Sequence, residues 1–326
     1  MTTYMVTGAN GHLGCNLTKK LLEKGANTVA TVRDAANCDL LKTAIGDRDC
    51  KIVSADLLNE NSLNNSMAGV DILFHCAAVF KHWAKDPEED IVQANIRITE
   101  NVLRQASKCG VKRVIYVSSI VALDKNKQPM TPDTWNCDEI NPYIKSKVLS
   151  EKRAWELAEE LNIEMISVLP SAMLGGIYNH KNPTPSILLL QRVASGAMPF
   201  DIRFSINYID VENVAEAMIT AAAKGIIGNR YILGNDKHIT TTQMFAILKE
   251  LKPEMEIPPP ISKEHLLLFA NDAMIKSQET GNPPVILPFI IEQSYDTEVL
   301  LDTTLSQQEL GFRPQKAEEI ISSHFL

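Results

Sequence analysis

What the chain lacks narrows it first. There is no basic excess: 32 Lys and Arg stand against 40 Asp and Glu, a net charge of −8. Nothing therefore offsets the phosphates of a nucleic acid, and that class of partner is excluded. The six cysteines (Cys15, Cys38, Cys50, Cys76, Cys109 and Cys137) form no C-x-x-C pair and no metal-type spacing. They read as reduced thiols of a cytoplasmic protein with no metal site. Apolar runs such as "PPVILPFII" fall short of the about 20 residues that cross a bilayer, so no membrane association is expected. The strand-like "YMVTG" starts at residue 4 and leaves no room for the regions of a leader peptide. Repeats and low-complexity tracts are missing too. What remains is a chain of 326 residues, 45% hydrophobic and 22% charged, the composition of a soluble globular protein.

In the first two hundred residues, short β-rich runs alternate with helical patterns. Strands are expected at 3–8, 28–33, 51–57, 71–78, 113–119 and 164–170, and helices at 12–24, 61–67, 88–109 and 144–161. Continuous apolar strands between helices imply a parallel sheet covered on both faces, an α/β doubly wound fold of the Rossmann type. Past Pro170 the texture changes. "GGIYNHKNPTP" (175–185) reads as loop, "SILLLQRVASG" as helix, "INYIDVENVAEAMITAAAKG" as a strand entering a helix, and "NRYILGN" (229–235) as one more strand. The proline-punctuated remainder reads as a smaller, mostly helical part folded over the carboxyl ends of the sheet. The expected division is interleaved: 1–170 with about 205–238 for a nucleotide-binding part, and 171–204 with about 239–326 for a substrate-binding part.

"VTGANGHLG" places Gly8, Gly11 and Gly14 between the first strand and the first helix. That arrangement allows a tight turn, close approach of pyrophosphate to the backbone, and free helix N–H groups facing the anion. The cradle would comprise Gly8, Asn10, Gly11, His12, Leu13 and Gly14. At the end of the second strand, Arg33 suits the 2′-phosphate of NADP, while an acid there would select NAD. Asp34 keeps NAD open, should the strand run one or two residues longer. Asp56 and Leu57 close the third strand, where a carboxylate can accept from the adenine amino group. Cys76, Ala77 and Ala78 close the fourth with side chains small enough for a cofactor to lie against the backbone, and Pro170 ends the sixth. Tyr143 and Lys147 stand four apart in "YIKSK", about 40° apart around a helix axis, and so face the same way.

Taken in order, the glycine pattern, "ADL", "HCAA", "YVSS", "YIKSK" and "YIDVENVAEA" resemble the extended short-chain dehydrogenase/reductases, the NAD-dependent epimerase/dehydratase family. Within it, "ATVRD" resembles the dihydroflavonol 4-reductase-like branch. "HWAKDPEEDIVQANI" and "NPTPSILLLQRVASGAMP" resemble hopanoid-associated sugar epimerases.

The resemblance implies roles. Tyr143 would be the general acid, Lys147 would lower its pKa and hold the nicotinamide ribose, and Ser119 would share the substrate oxygen while Ser118 packs in the strand end. The expected activity is NADPH-dependent reduction of a ketone or aldehyde. The alternative is a nucleotide-sugar epimerase, although the basic residues of the second half (Lys181, Arg192, Arg203, Arg230) are dispersed. A non-catalytic redox sensor is disfavoured by the intact Ser, Tyr and Lys. Dehydration is disfavoured because "SSIVAL" lacks the Asp-Glu pair. Phe80, Trp83, Met173 and Tyr178 are substrate-pocket candidates, with Trp135 and Phe204 as further ones, and all of them serve equally as core residues. His75 and His82 are left as structural. The 145–161 helix is expected to show a solvated charged face, and with 88–109 it resembles the pair that forms a homodimer interface in this family.

Overall fold

In β1 (Thr3–Thr7), Met5 and Val6 are both fully buried yet belong to different clusters of core side chains. Side chains alternate along a strand, so the two clusters lie on opposite faces of the sheet. The computed structural model, which describes residues 2–323, repeats this in every central strand. Met1 and residues 324–326, included in the expected domain ranges, lie outside the described residues.

In chain order the first part comprises β1, α1 (His12–Glu23), β2 (Asn27–Val32), α2 (Asp39–Ile45), β3 (Lys51–Ser54), α3 (Glu60–Met67) and β4 (Ile72–His75). A π-helical turn, Glu88–Gln93, leads into α4 (Ala94–Lys108), β5 (Arg113–Val117), α5 (Pro142–Glu160) and β6 (Glu164–Pro170). Then come β7 (Ala172–Leu174), α6 (Pro185–Ala194), β8 (Ser205–Ile206), β9 (Tyr208–Asp210), α7 (Val211–Lys224) and β10 (Arg230–Leu233). The chain continues through β11 (Ile239–Thr240), α8 (Thr241–Leu251), α9 (Lys263–Thr280), α10 (Pro288–Ser294), α11 (Thr304–Leu310) and α12 (Ala317–Ser323).

Seven strands form one parallel sheet in the order β10-β6-β5-β4-β1-β2-β3. On one face, Val6, Ala30, Phe74 and Ile115 pack under Leu17 of α1 and Val214 and Met218 of α7. On the other, Met5, Val29, Leu73 and Val114 meet Leu63 of α3, Leu103 of α4 and Leu157 of α5. The expected doubly wound architecture is present. Its strand order reverses between β1 and β4, where connections leave in opposite directions and open a crevice at the carboxyl edge. A separate core, built on Leu174, Leu190, Tyr208, Phe245 and Ile321, joins α6, α8 and α12 around the β7–β9 pair.

Three strands stop sooner than their apolar runs suggest. The expected 51–57, 71–78 and 113–119 end at Ser54, His75 and Val117. The ladder stops where neighbouring strands diverge, so Asp56–Leu57, Cys76–Ala78 and Ser118–Ser119 become loop at the crevice. The helix α2, not anticipated, occupies 39–45. Phe204 is core rather than pocket, packed with Leu266, Ala270 and Ile291 under α9 and α10. No helix among the described residues is long and apolar enough to cross a membrane.

Candidate active site

The glycine loop is shaped by contacts that leave no room for a side chain. Gly8 has φ +66°, and a Cβ there would stand 2.9 Å from the Ala77 Cα. A Cβ on Gly14 would stand 2.2 Å from the Gly8 carbonyl oxygen. The loop and the β4 end therefore lie backbone against backbone, with Ala77 where the small-residue argument put it. Gly11 is the N-cap of α1 and offers no side-chain acceptor, and the first turn holds no acid. Its amides keep their hydrogen-bonding capacity for an anion, and the positive end of the helix dipole faces the same way. Asn10 braces the loop from behind, accepting from the Leu41 N–H at 3.0 Å and donating to the Asn37 carbonyl at 3.3 Å. The His12 side chain turns away toward the Gly175 carbonyl, 2.8 Å from Nε2. Leu13 is buried behind the loop.

Arg33 follows the last residue of β2 and is exposed. Asp34 is committed elsewhere. Its carboxylate accepts from the Ala36 N–H at 2.9 Å and from the Asn37 side chain at 2.5 Å, and these bonds hold it below the usual carboxylate range. The acid that kept NAD open closes a local turn, and the guanidinium stands free of it. Asp56 does likewise in its own loop, accepting from the Leu58 N–H at 3.0 Å. These residues fit a dinucleotide at the switch-point crevice: a cradle with no side chains, free helix amides, and a cation beyond β2.

Helix α5 starts at Pro142 because Asn141 caps it, accepting from the N–H groups of Tyr143 at 3.0 Å and Ile144 at 3.4 Å. This puts Tyr143 in the first turn, and Lys147 one turn on is buried against the end of β5, its Nζ donating to the Val117 carbonyl at 3.3 Å. Ser119 caps the short 3₁₀ turn Ile120–Ala122 and lies close enough to the Tyr143 phenol to lower its pKa. The three residues of the expected Ser-Tyr-Lys set thus meet at the carboxyl edge. Their electrostatics differ from the expectation. Burial pushes the Tyr143 phenol up to about 12, against a smaller lowering by Ser119, so the phenol keeps its proton. Burial brings Lys147 down to about 8, with Glu151 and Cys76 acting the other way. Beside it, burial and Lys147 hold His75 neutral, down to about 3, with Nδ1 2.8 Å from the Thr7 hydroxyl.

The substrate candidates divide. Phe80 packs on Tyr143 with ring centroids 4.9 Å apart, and Trp83 is half-buried in the same loop. Met173 follows Pro170 and rests against the core under α7. Tyr178 stacks 4.2 Å from His180 and edges onto His12, close to the glycine loop. Trp135 turns to Arg230, 3.8 Å from ring centroid to guanidinium carbon.

Three features were not anticipated. His82 lies with its ring centroid 4.9 Å from that of Tyr143, held neutral by burial, and its Nδ1 is buried without a partner. Asn95 ties the loop carrying Phe80 and His82 to α5, accepting from the Val79 N–H at 2.7 Å and donating toward Ser146 at 3.1 Å. Glu151, assigned to the solvated face, is completely buried and paired with Arg230. A carboxylate inside an otherwise charged run carries no sequence mark of burial, because its partner lies 79 residues away.

Comparison with known proteins agrees with this geometry. A sequence model described as the NAD dependent epimerase/dehydratase family matches residues 4–234. Cinnamoyl-CoA reductase CAD2 of Medicago truncatula is 31% identical over 78% of this chain and 82% of its own. Dihydroflavonol 4-reductase of Zea mays is 26% identical over 78% and 76%. The crystal structure of gox2253 superposes with a TM-score of 0.81 at 27% identity, over 99% of this chain and 96% of that one. With the glycine cradle at the β1–β4 switch point and Ser119, Tyr143 and Lys147 at its edge, the chain belongs to the NAD dependent epimerase/dehydratase family, of the extended short-chain dehydrogenase/reductase kind.

Proposed function

We propose that the protein is an NADPH-dependent carbonyl reductase acting on a small ketone or aldehyde. The observation that carries this reading is Tyr143 in the first turn of α5, beside Ser119 and one helical turn from the buried Lys147, with a phenol that burial keeps protonated. Reduction of a carbonyl needs a proton donor at its oxygen, and a phenol that keeps its proton until the alkoxide develops is suited to that task. NADPH, when bound, supplies the hydride. Tyr143 transfers its proton to the oxygen as the carbonyl carbon becomes tetrahedral, and Ser119 donates a hydrogen bond to the same oxygen, strengthening as charge builds there. Lys147 would hold the ribose hydroxyls and, as an ammonium, offsets the phenolate that Tyr143 becomes. Phe80 and His82, packed beside the phenol, shield it from water. Gly8, Gly11 and Gly14 would line the pyrophosphate, and Arg33 would pair with the 2′-phosphate. The reductase names of the cinnamoyl-CoA and dihydroflavonol relatives support the same reaction class.

The test follows absorbance at 340 nm with NADPH and a panel of ketones and aldehydes, together with nucleotide assay of the freshly purified protein. Turnover by protein that purifies free of nucleotide is expected. Tightly retained nucleotide with no turnover across the panel would favour a sugar epimerase instead, which must keep its cofactor through each cycle. Arg33→Ser is expected to lower the preference for NADPH over NADH by about ten- to a hundredfold, since a paired phosphate loses its charge-assisted partner. An unchanged ratio of kcat/KM values for the two cofactors would remove Arg33 from the phosphate site.

A further inference from the structure

Two residues of opposite charge lie inside the protein directly behind Tyr143 and Lys147 and have no part in the steps above. Glu151 is one more turn along α5, so the three side chains share one stripe. Its Oε2 accepts from the Ser118 hydroxyl at 2.5 Å and from Arg230 Nη2 at 3.0 Å. Its Oε1 accepts from Arg230 Nε at 2.8 Å and from the Trp155 indole at 3.4 Å. Arg230, on the edge strand β10, directs Nη1 to the carbonyls of Pro132 at 2.5 Å and Thr134 at 2.8 Å. One carboxylate therefore joins the residue before Ser119, the helix of Tyr143 and Lys147, and the segment that leads into that helix.

Such a pair is a poor device for stability alone, because desolvating both charges cancels most of their attraction and apolar residues of equal volume serve as well. We propose that Glu151 and Arg230 are positioning residues for the reaction: the Glu151 carboxylate, locked in place by Arg230, stands one turn along α5 from Lys147, and its hydrogen bond from Ser118 fixes Ser119 against Tyr143. The inference rests on the reductase reading of Lys147. The groups facing Lys147 are His75 and Cys76 from the end of β4, the Val117 carbonyl of β5, and Tyr143 and Glu151 of its own helix; Tyr116 of β5 faces Glu151. At neutral pH burial keeps His75, Cys76, Tyr116 and Tyr143 uncharged. The field at Lys147 is left to Glu151, which Arg230 holds in place.

The experiment records kcat/KM and NADPH affinity against pH. The ammonium is the competent form, so activity falls as pH rises through the Lys147 pKa. Glu151→Gln removes a negative neighbour and is expected to move this alkaline limb to lower pH by about one unit. Arg230→Gln leaves the buried Glu151 unpaired, so that it takes up a proton and the limb moves to lower pH as well, while Arg230→Lys keeps the pair and the wild-type limb. Ser118→Ala changes no charge: kcat falls several-fold with NADPH affinity and the limb unchanged. Circular dichroism identifies folded variants, and either Gln variant that folds decides the matter. No shift, or a shift of the wrong sign, in a folded variant overturns the proposal. An alkaline limb that survives in Lys147→Met overturns the reading of Lys147 itself, and this inference with it.

Discussion

Replacing Tyr143 by Phe is expected to lower kcat/KM for NADPH-dependent carbonyl reduction by about 10³-fold, within the range that a positioned general acid contributes. The loss should fall on kcat. The phenyl ring keeps the tilted and edge-on contacts with Phe80 and His82, whose centroids are each 4.9 Å from that of Tyr143, and α5 keeps its cap on Asn141. Stability and NADPH affinity should therefore stay near wild type. Stopped-flow turnover beside fluorescence titration of NADPH separates these quantities. A variant retaining more than about a tenth of wild-type turnover would show that the proton comes from elsewhere, since removing a true donor costs at least about a hundredfold. His82 would be the next residue to replace, because its buried Nδ1 has no partner within the protein.

The second large effect concerns the glycine loop and separates folding from binding. A methyl group at position 14 would meet the Gly8 carbonyl oxygen at 2.2 Å, the Gly8 carbonyl carbon at 2.8 Å and the Ala9 Cα at 2.9 Å, all of them backbone. No side chain can swing aside to admit it. Gly14→Ala is expected to destabilise the fold by about 3 kcal/mol, the upper end for overpacking, and to abolish NADPH binding because the loop must move. At position 11 the same methyl meets only the Gly8 oxygen, at 3.2 Å, and the site is exposed. Gly11→Ala should thus keep its stability to within about 1 kcal/mol while weakening NADPH, since it places bulk where the pyrophosphate approaches. Thermal unfolding with and without NADPH reads both. Equal stability of the Gly14 and Gly11 variants would contradict the backbone contact on which the expectation stands.

The sequence was most legible where one residue's local needs decide the structure. A glycine at a left-handed φ, a proline at the first position of a helix, and an apolar run long enough for one strand each act within a few residues. Hence the strand–loop–helix start, the β6 strand at 164–170 and the Tyr143–Lys147 stripe could be read directly. Strand ends were less legible, because the end of a ladder depends on where the neighbouring strand turns away. The residues at those ends, Asp56, Cys76 and Ser119, are the ones that line the crevice. The helix α2 was missed for a related reason: seven residues make a weak periodic signal, and α2 is held by packing on α1 through Leu41, Ala44 and Ile45.

By itself, then, the sequence determined the fold class, and it marked the glycine loop and the Tyr143–Lys147 spacing, since each is written in local spacing that physical chemistry reads without knowledge of distant partners; Ser119 was singled out only by the resemblance. Only the tertiary structure decided which charges are inside. It turned Glu151 from a surface residue into a buried partner of Arg230, committed Asp34 to its own turn, and moved Trp135 and Phe204 away from the pocket. It also buried the Tyr143 phenol, whose pKa is raised by burial more than Ser119 lowers it. Desolvation and ion pairing depend on groups brought together from far along the chain, and no local pattern records them.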